Sequence, residues 1–132
     1  MPPPQQHILV ADDDEILSEL LQLLLTNEGF SVVTVRDGDE ALLALEAKRP
    51  NLIVLDIMIP GLSGFDLLRK LKSNQFYREI PVIMLSSRSG ERDQLQAFDF
   101  GAADFIAKPF WVEELGVRIR RVLARHRAEM PE

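Results

Sequence analysis

Short apolar runs alternate with stretches of helical periodicity along the whole chain. HILVA (7–11), SVVTV (31–35), LIVLD (52–56), PVIML (81–85) and DFIA (104–107) read as strands, rich in Val and Ile. They mostly lack the two-residue alternation of a half-exposed strand, so they are expected to be covered on both faces. Between them, apolar residues recur on one helical face. A helix over roughly 14–28 is expected to be capped by Asp14 and stopped by Gly29. The next opens at Asp37, with Glu40 three residues on as a capping-box partner. Two more are expected over about 64–73 and 89–100. The last runs from beyond Pro109 to about 127, with Leu115, Ile119, Val122 and Leu123 on one face.

Strict alternation of five strands and five helices predicts an α/β domain with a parallel sheet covered on both sides. Right-handed crossovers favour a doubly wound five-stranded sheet of order 2-1-3-4-5, the flavodoxin-like arrangement. Ligands of such sheets bind at the carboxyl ends of the strands, near the point where the winding reverses. The residues at that edge are Ala11-Asp12-Asp13-Asp14, Asp56 with the Pro60-Gly61 turn, Ser86-Ser87, and Lys108-Pro109.

Each of these has an ordinary explanation alone. Asp14 reads as a helix cap, Ser86 as a strand-end hydroxyl and Lys108 as a surface lysine. Together they suit a specific chemistry. The first and third strands are neighbours in the predicted order, which gathers Asp12, Asp13 and Asp56 in one pocket. Carboxylates that close repel, and burial raises their pKa values. A divalent cation removes the conflict, and hard oxygen ligands suit Mg²⁺, with Mn²⁺ as a substitute. A carboxylate beside such an ion can attack a phosphoryl group to give an acyl phosphate. A nearby ammonium and hydroxyl would hold the remaining phosphoryl oxygens.

The bulk numbers narrow the class. A chain of 132 residues with 46% apolar content fills one domain, expected over 7–127. MPPPQQ (1–6) reads as a disordered lead-in and 128–132 as a tail or the start of a linker. No run of about 18 apolar residues and no signal-peptide pattern is present, so no membrane role is expected. The absence of cysteine fits a cytoplasmic protein. A net charge of −6 argues against nucleic-acid binding by the general surface. The run Arg118, Arg120, Arg121, Arg125 and Arg127 reads as a solvated face at the negative end of a helix, with no helix-turn-helix or zinc motif beside it.

LVADDDEIL, LDIMIPGLSGFDLL, PVIMLSS and GAADFIAKPF, in this order and spacing, resemble the receiver domains of bacterial two-component response regulators. The resemblance runs from His7 to Arg125. Receivers are themselves a standard example of the predicted strand order, so the topology adds no independent support. The resemblance implies that Asp56 is the phosphoacceptor, with Ser86 and Lys108 on the phosphoryl group. It implies that Asp13 binds the metal directly, Asp12 mainly through water, and Met58 through its backbone carbonyl. It makes Ser86 and Phe105 the switch pair and the Lys108–Pro109 bond cis. Gly64 and the Pro60-Gly61 turn complete the pattern after the phosphoacceptor. Met58 and Arg88 flank the site; Met58 is expected to shield the phosphoryl group from water, and Arg88 to be solvated.

The implied partner is a sensor histidine kinase or a histidine phosphotransfer protein. The implied enzyme-like activity is limited to self-phosphorylation and autodephosphorylation. Receivers joined to winged-helix DNA-binding domains dimerise through the fourth helix, fifth strand and fifth helix. Here that homodimer face would use an apolar patch of Leu95, Phe98 and Val117, with ion pairs of Asp99 with Arg120 and Asp104 with Arg118. A third pair departs from the pattern, since Glu114 meets Gln94, where a basic residue is usual. Two arrangements stay open: a free-standing regulator, or a receiver with an effector domain beyond residue 132. Two other classes remain open at this point. Asp12-x-Asp14-x-Ile16 is similar to the nucleophile motif of haloacid-dehalogenase phosphatases, with Asp12 attacking. A pseudo-receiver would bind a partner without phosphorylation.

Overall fold

In a computed structural model of the protein, residues 5–87 and 90–129 are described. In chain order the elements are β1 (His7–Ala11), α1 (Glu15–Asn27), β2 (Ser31–Val35), α2 (Gly38–Ala47) and β3 (Leu52–Asp56). They are followed by α3 (Gly64–Lys72), β4 (Val82–Ser86), α4 (Glu91–Asp99), β5 (Asp104–Ala107) and α5 (Val112–Glu129). All strand pairs are parallel, in the order β2-β1-β3-β4-β5. This is the predicted winding.

Every residue of β1, β3 and β4 is buried, which accounts for their unalternating apolar runs. Successive residues feed opposite cores. Leu9, Ile53, Leu55, Met84 and Phe105 pack with Leu45, Leu67, Leu71 and Ala97 of α2, α3 and α4. Ile8, Val54, Ile83, Leu85 and Ile106 pack with Leu21 and Leu25 of α1 and with Leu115 and Ile119 of α5. Each fully buried Leu or Ile contributes roughly 1.5–3 kcal/mol, so these strands hold their charged ends in fixed positions.

Local signals behave as their chemistry requires. Asp14 accepts from the Leu17 amide at 3.2 Å and caps α1. Asp37 accepts from the Glu40 amide at 2.8 Å, and the Glu40 carboxylate accepts in return from the Arg36 amide at 2.8 Å. That return bond falls one residue ahead of the N-cap's own amide. Gly29 takes φ +98°, the left-handed turn that stops α1.

Four expectations are corrected. β2 is not covered on both faces: it is the outermost strand, and Val33 is 38% exposed. β4 starts one residue late, because Pro81 has no N–H for the ladder and contributes only its carbonyl, to the Ile53 amide at 3.0 Å. Gln5 and Gln6 are not a disordered lead-in. The Gln5 side chain donates to the Gly29 carbonyl, and Gln6 O accepts from the Ser31 amide at 2.9 Å. Ala128 and Glu129 are the end of α5 rather than a tail. Residues 1–4 and 130–132 of the expected lead-in and tail, and Arg88, lie outside the described residues.

Candidate functional site

The ends of β1, β3, β4 and β5 converge at one edge of the sheet. The register pairs Ala11 with Leu55, Asp56 with Leu85, and Ser86 with Ala107, so Asp12, Asp56, Ser86 and Lys108 arrive at the same level. The loops are fastened at this level as well. The Ile57 amide donates to Leu85 O at 2.9 Å, and the Lys108 amide to Ser86 O at 2.7 Å. The Gly64 amide donates to Ile57 O at 2.7 Å and brings the start of α3 against the end of β3. The Lys108–Pro109 bond is cis, as expected.

Carboxylate oxygens of Asp12, Asp13 and Asp56 lie within 4.8 Å of one another. Asp12 and Asp56 are buried, and Asp13 is exposed at the rim. The Lys108 ammonium bridges the two buried acids, 2.6 Å from Asp56 Oδ2 and 2.8 Å from Asp12 Oδ2. The remaining oxygens are held by the backbone: Asp14 N donates to Asp12 Oδ1 and Met58 N to Asp56 Oδ1, each at 2.9 Å. The side chain of Met58 is 57% exposed. It lines a cavity of about 620 Å³ that also includes Asp13, Ile57, Pro60 and Phe65.

Burial raises the Asp12 pKa, and the Asp56 charge adds to it; the Lys108 ammonium and the Asp14 amide oppose the shift without cancelling it. For Lys108, burial works to lower the pKa, but the close carboxylates of Asp12 and Asp56 together outweigh it and the net shift is upward. Lys108 therefore stays cationic, and it is the ionisation of Asp12 that burial opposes.

These residues fit a divalent cation. Asp12 has 0% exposure, and its Oδ2, although close to the Lys108 charge, has no donor aligned for a hydrogen bond. A buried anionic oxygen left in that state is what a hard cation takes. When all are ionised, three carboxylates and one ammonium leave two negative charges, which one divalent ion cancels.

The family model of the response regulator receiver domain matches residues 8–120. The chain belongs to this family. This receiver is 38% identical over 128 residues to the DNA-binding response regulator MtrA of Mycolicibacterium smegmatis, covering 97% of this chain and 55% of that protein. It is 40% identical over 123 residues to the phosphate regulon transcriptional regulatory protein PhoB of Rhizobium meliloti, covering 93% and 54%. The chain thus spans about half the length of the curated relatives it matches. Among solved structures, the receiver domain of a signal transduction histidine kinase from Syntrophus aciditrophicus aligns with a TM-score of 0.84 at 35% identity, over 96% of this chain and 95% of that one. A CheY-like receiver from Methanospirillum hungatei aligns with a TM-score of 0.88 at 25% identity, over 96% and 99%.

In this receiver Phe105 is buried, on the same sheet face as Met84 and Ser86 because Met84 and Phe105 are register partners. Leu95, Phe98 and Val117 are all exposed. Of the two ion pairs expected for a dimer, the Asp104–Arg118 pair forms within one chain, and Arg120 has a different partner. Arg118 pairs with Asp104 at 3.0 Å and with Glu114 at 3.0 Å, while Arg120 pairs with Glu28 of α1. A dimer using Arg120 with Asp99 would have to exchange that partner.

Three contributors escape a reading of the sequence. Asp14 supplies an amide to Asp12 besides capping α1, and Met58 supplies an amide to Asp56 in addition to the carbonyl expected of it. Ser18, a hydroxyl on the inward face of α1, donates to Asp12 O at 3.3 Å. Only Ser18 carries a signal in the sequence, as a polar residue at a core-facing position.

Proposed function

We propose that this receiver accepts a phosphoryl group on Asp56 from a phosphohistidine of a sensor kinase or histidine phosphotransfer protein. Mg²⁺, or Mn²⁺ in its place, would be held by Asp12, Asp13, Asp56 and the Met58 carbonyl. The observation that carries this reading is a buried carboxylate, Asp56, that shares the Lys108 ammonium with Asp12 and lies beside the Asp12–Asp13 pair at the mouth of the sheet.

In the transfer, one Asp56 oxygen attacks phosphorus and forms the P–O bond of an acyl phosphate. The P–N bond of the donor breaks, and the leaving imidazole takes up a proton. The Met58 amide fixes the orientation of the Asp56 carboxylate before the donor arrives. Lys108 then moves its ammonium from Asp56 Oδ2 to a phosphoryl oxygen, a short displacement from its present 2.6 Å contact. A bound divalent cation supplies neutralisation of the charge that develops on the phosphoryl oxygens. Ser86 bonds a further phosphoryl oxygen, and Phe105, on its side of the sheet, follows it and alters the α4–β5–α5 face. That face then acts on a second copy through Leu95, Phe98 and Val117, or on a DNA-binding effector of the kind named in the relatives MtrA and PhoB. The reading places the domain in the cytoplasm, and the slow loss of its own phosphate would be its only hydrolytic activity.

Radiolabelled acetyl phosphate with Mg²⁺ tests the assignment. Label is expected on the native protein and absent from Asp56→Asn or after chelation. Label that persists in Asp56→Asn, or that maps to Asp12, would overturn it.

A further inference from the structure

The first turn of α3 is built against the end of β3 with no slack. The Gly64 amide donates to Ile57 O at 2.7 Å. Gly64 also abuts the Asp56 carbonyl and the Ile57 Cα so closely that a side chain would not fit. Phe65 comes next in the chain. It is half-buried against the core that holds Ile57 and Leu67, and it lines the cavity shared by Asp13 and Met58.

From Phe65 the contacts run on to α4. Its ring meets that of Phe100 edge to face, with centroids 5.8 Å apart and planes at 85°. Aromatic pairs favour this geometry because the positive edge of one ring faces the negative face of the other. Arg69, one turn along α3, sets its guanidinium 5.2 Å from the centre of the Phe100 ring. The stem of Lys72 lies over Gly101, whose φ of +103° turns the chain out of α4. One side of α3 thus grips the residue that ends α4 and the residue after it. At its other end α4 opens on Gly90, which has no side chain to cap it.

We propose that Phe65 and Phe100 link Asp56 to the α4–β5–α5 face by a route separate from Ser86 and Phe105. The link rests on the reading of Asp56 as the phosphoacceptor. A phosphoryl group and a divalent cation on Asp56 restrain the backbone of Asp56 and Ile57. Gly64 passes that restraint into α3 with no rotatable side chain between, and close-packed groups transmit it further. Phe65 and Arg69 carry it to Phe100. The last turn of α4, which includes Phe98, then opens less often.

Amide hydrogen exchange of the full chain, with and without Mg²⁺ and beryllofluoride as a phosphoryl mimic, reads the outcome. The Gly101 and Ala102 amides donate to Phe98 O at 3.0 Å and Ala97 O at 2.9 Å, and so report on the end of α4. Both are expected to exchange about fivefold more slowly with the mimic bound, the lower end of ordinary coupling between sites. The Gly64 amide, beside Asp56, slows as well. Phe65→Leu and Phe100→Leu each abolish the slowing at Gly101 and Ala102 but keep it at Gly64, and the double variant loses no more than either. Arg69→Met, an exposed change that spares both rings, reduces it. Phe105→Leu, a core substitution of the same size on the other route, leaves it in place. Circular dichroism checks that each variant is folded. Slowing at Gly101 and Ala102 that survives Phe65→Leu or Phe100→Leu overturns the link. So does its absence from the native chain while Gly64 responds, or its loss in Phe105→Leu. No response at Gly64 in the native chain overturns the phosphoacceptor reading itself, and the link with it.

Discussion

Gly64 is the residue at which backbone packing and the acidic cluster meet most directly. A Cβ built there would stand 2.7 Å from Ile57 Cα and closer still to the carbonyl oxygen of Asp56. Carbon atoms in contact are normally about 3.5–4.0 Å apart, so Gly64→Ala demands a displacement of roughly 1 Å. Neither neighbour is a flexible side-chain end. Both are backbone atoms, of the last residue of β3 and of the one after it, and this stretch is tied to Leu85 O through the Ile57 amide. The overpacking costs about 1–3 kcal/mol. Weakening the Gly64 N–H to Ile57 O bond adds about 0.5–1.5 kcal/mol. A total near ~3 kcal/mol lowers Tm by roughly 12 °C, at about 4 °C per kcal/mol for a domain of this size.

The same shift moves Asp56. Displacement of a reacting group by about 1 Å costs on the order of 10²-fold in rate, so phosphorylation by acetyl phosphate should fall far more than the folded fraction does. Gly29→Ala is the control. Gly29 has φ +98° and nothing within 4 Å of the added methyl, so it carries only the left-handed backbone penalty of about 1–2 kcal/mol. Urea unfolding and labelling rates measured on both variants separate the effects. Equal labelling losses in the two, or a Gly64→Ala protein with native stability, would refute the packing argument.

Two further outcomes concern protons and metal. Burial, then the Lys48 charge, lower the His7 pKa against the opposing bond to Ser31. A depressed folded pKa gives stability that is present above the ordinary value near 6.5 and lost as pH falls through the folded value. His7→Gln should therefore show a shallower loss of urea stability between about pH 7 and 5, and an unchanged slope would count against this account. Asp12 has the opposite sign: its raised pKa contributes stability below the ordinary 3.8, which is lost as pH rises through the folded value. Mg²⁺ binds the ionised form, so the rise in Tm it produces should shrink as pH is lowered through the folded value, and a dependence left unchanged in Asp12→Asn would count against this account.

The sequence reveals this site because its information lies at strand ends. The apolar runs of β1 and β3 stop at Asp12 and Asp56, and strand order alone brings those acids together. Helix caps were equally readable, since Asp14 and Asp37 act within three residues of themselves. Three features were not readable. The exposure of β2 depends on its outermost place in the sheet, while its residues alone are those of a core strand. The ion pair of Arg120 with Glu28 depends on how α5 lies against α1. The closeness of Gly64 to β3 depends on the path of the loop between them.

Lys108 shows why the acidic cluster must be argued as one electrostatic unit. A lysine before a proline says only that a strand has ended. In the folded chain it is the cation that lets Asp12 and Asp56 share a buried space, and it contacts both through one nitrogen. That arrangement is adequate without being satisfied, because Asp12 Oδ2 still lacks an aligned donor and Asp13 adds a third negative charge at the rim. A fixed cation strong enough to neutralise all three acids would leave nothing for an incoming phosphoryl group to displace. One ammonium lets the two buried acids share the space, yet leaves a net negative charge that a divalent ion could cancel. On the proposed phosphoacceptor reading, the same nitrogen would leave Asp56 for the incoming phosphoryl group. The incomplete charge balance suits exchange of that kind better than it suits a permanent salt bridge.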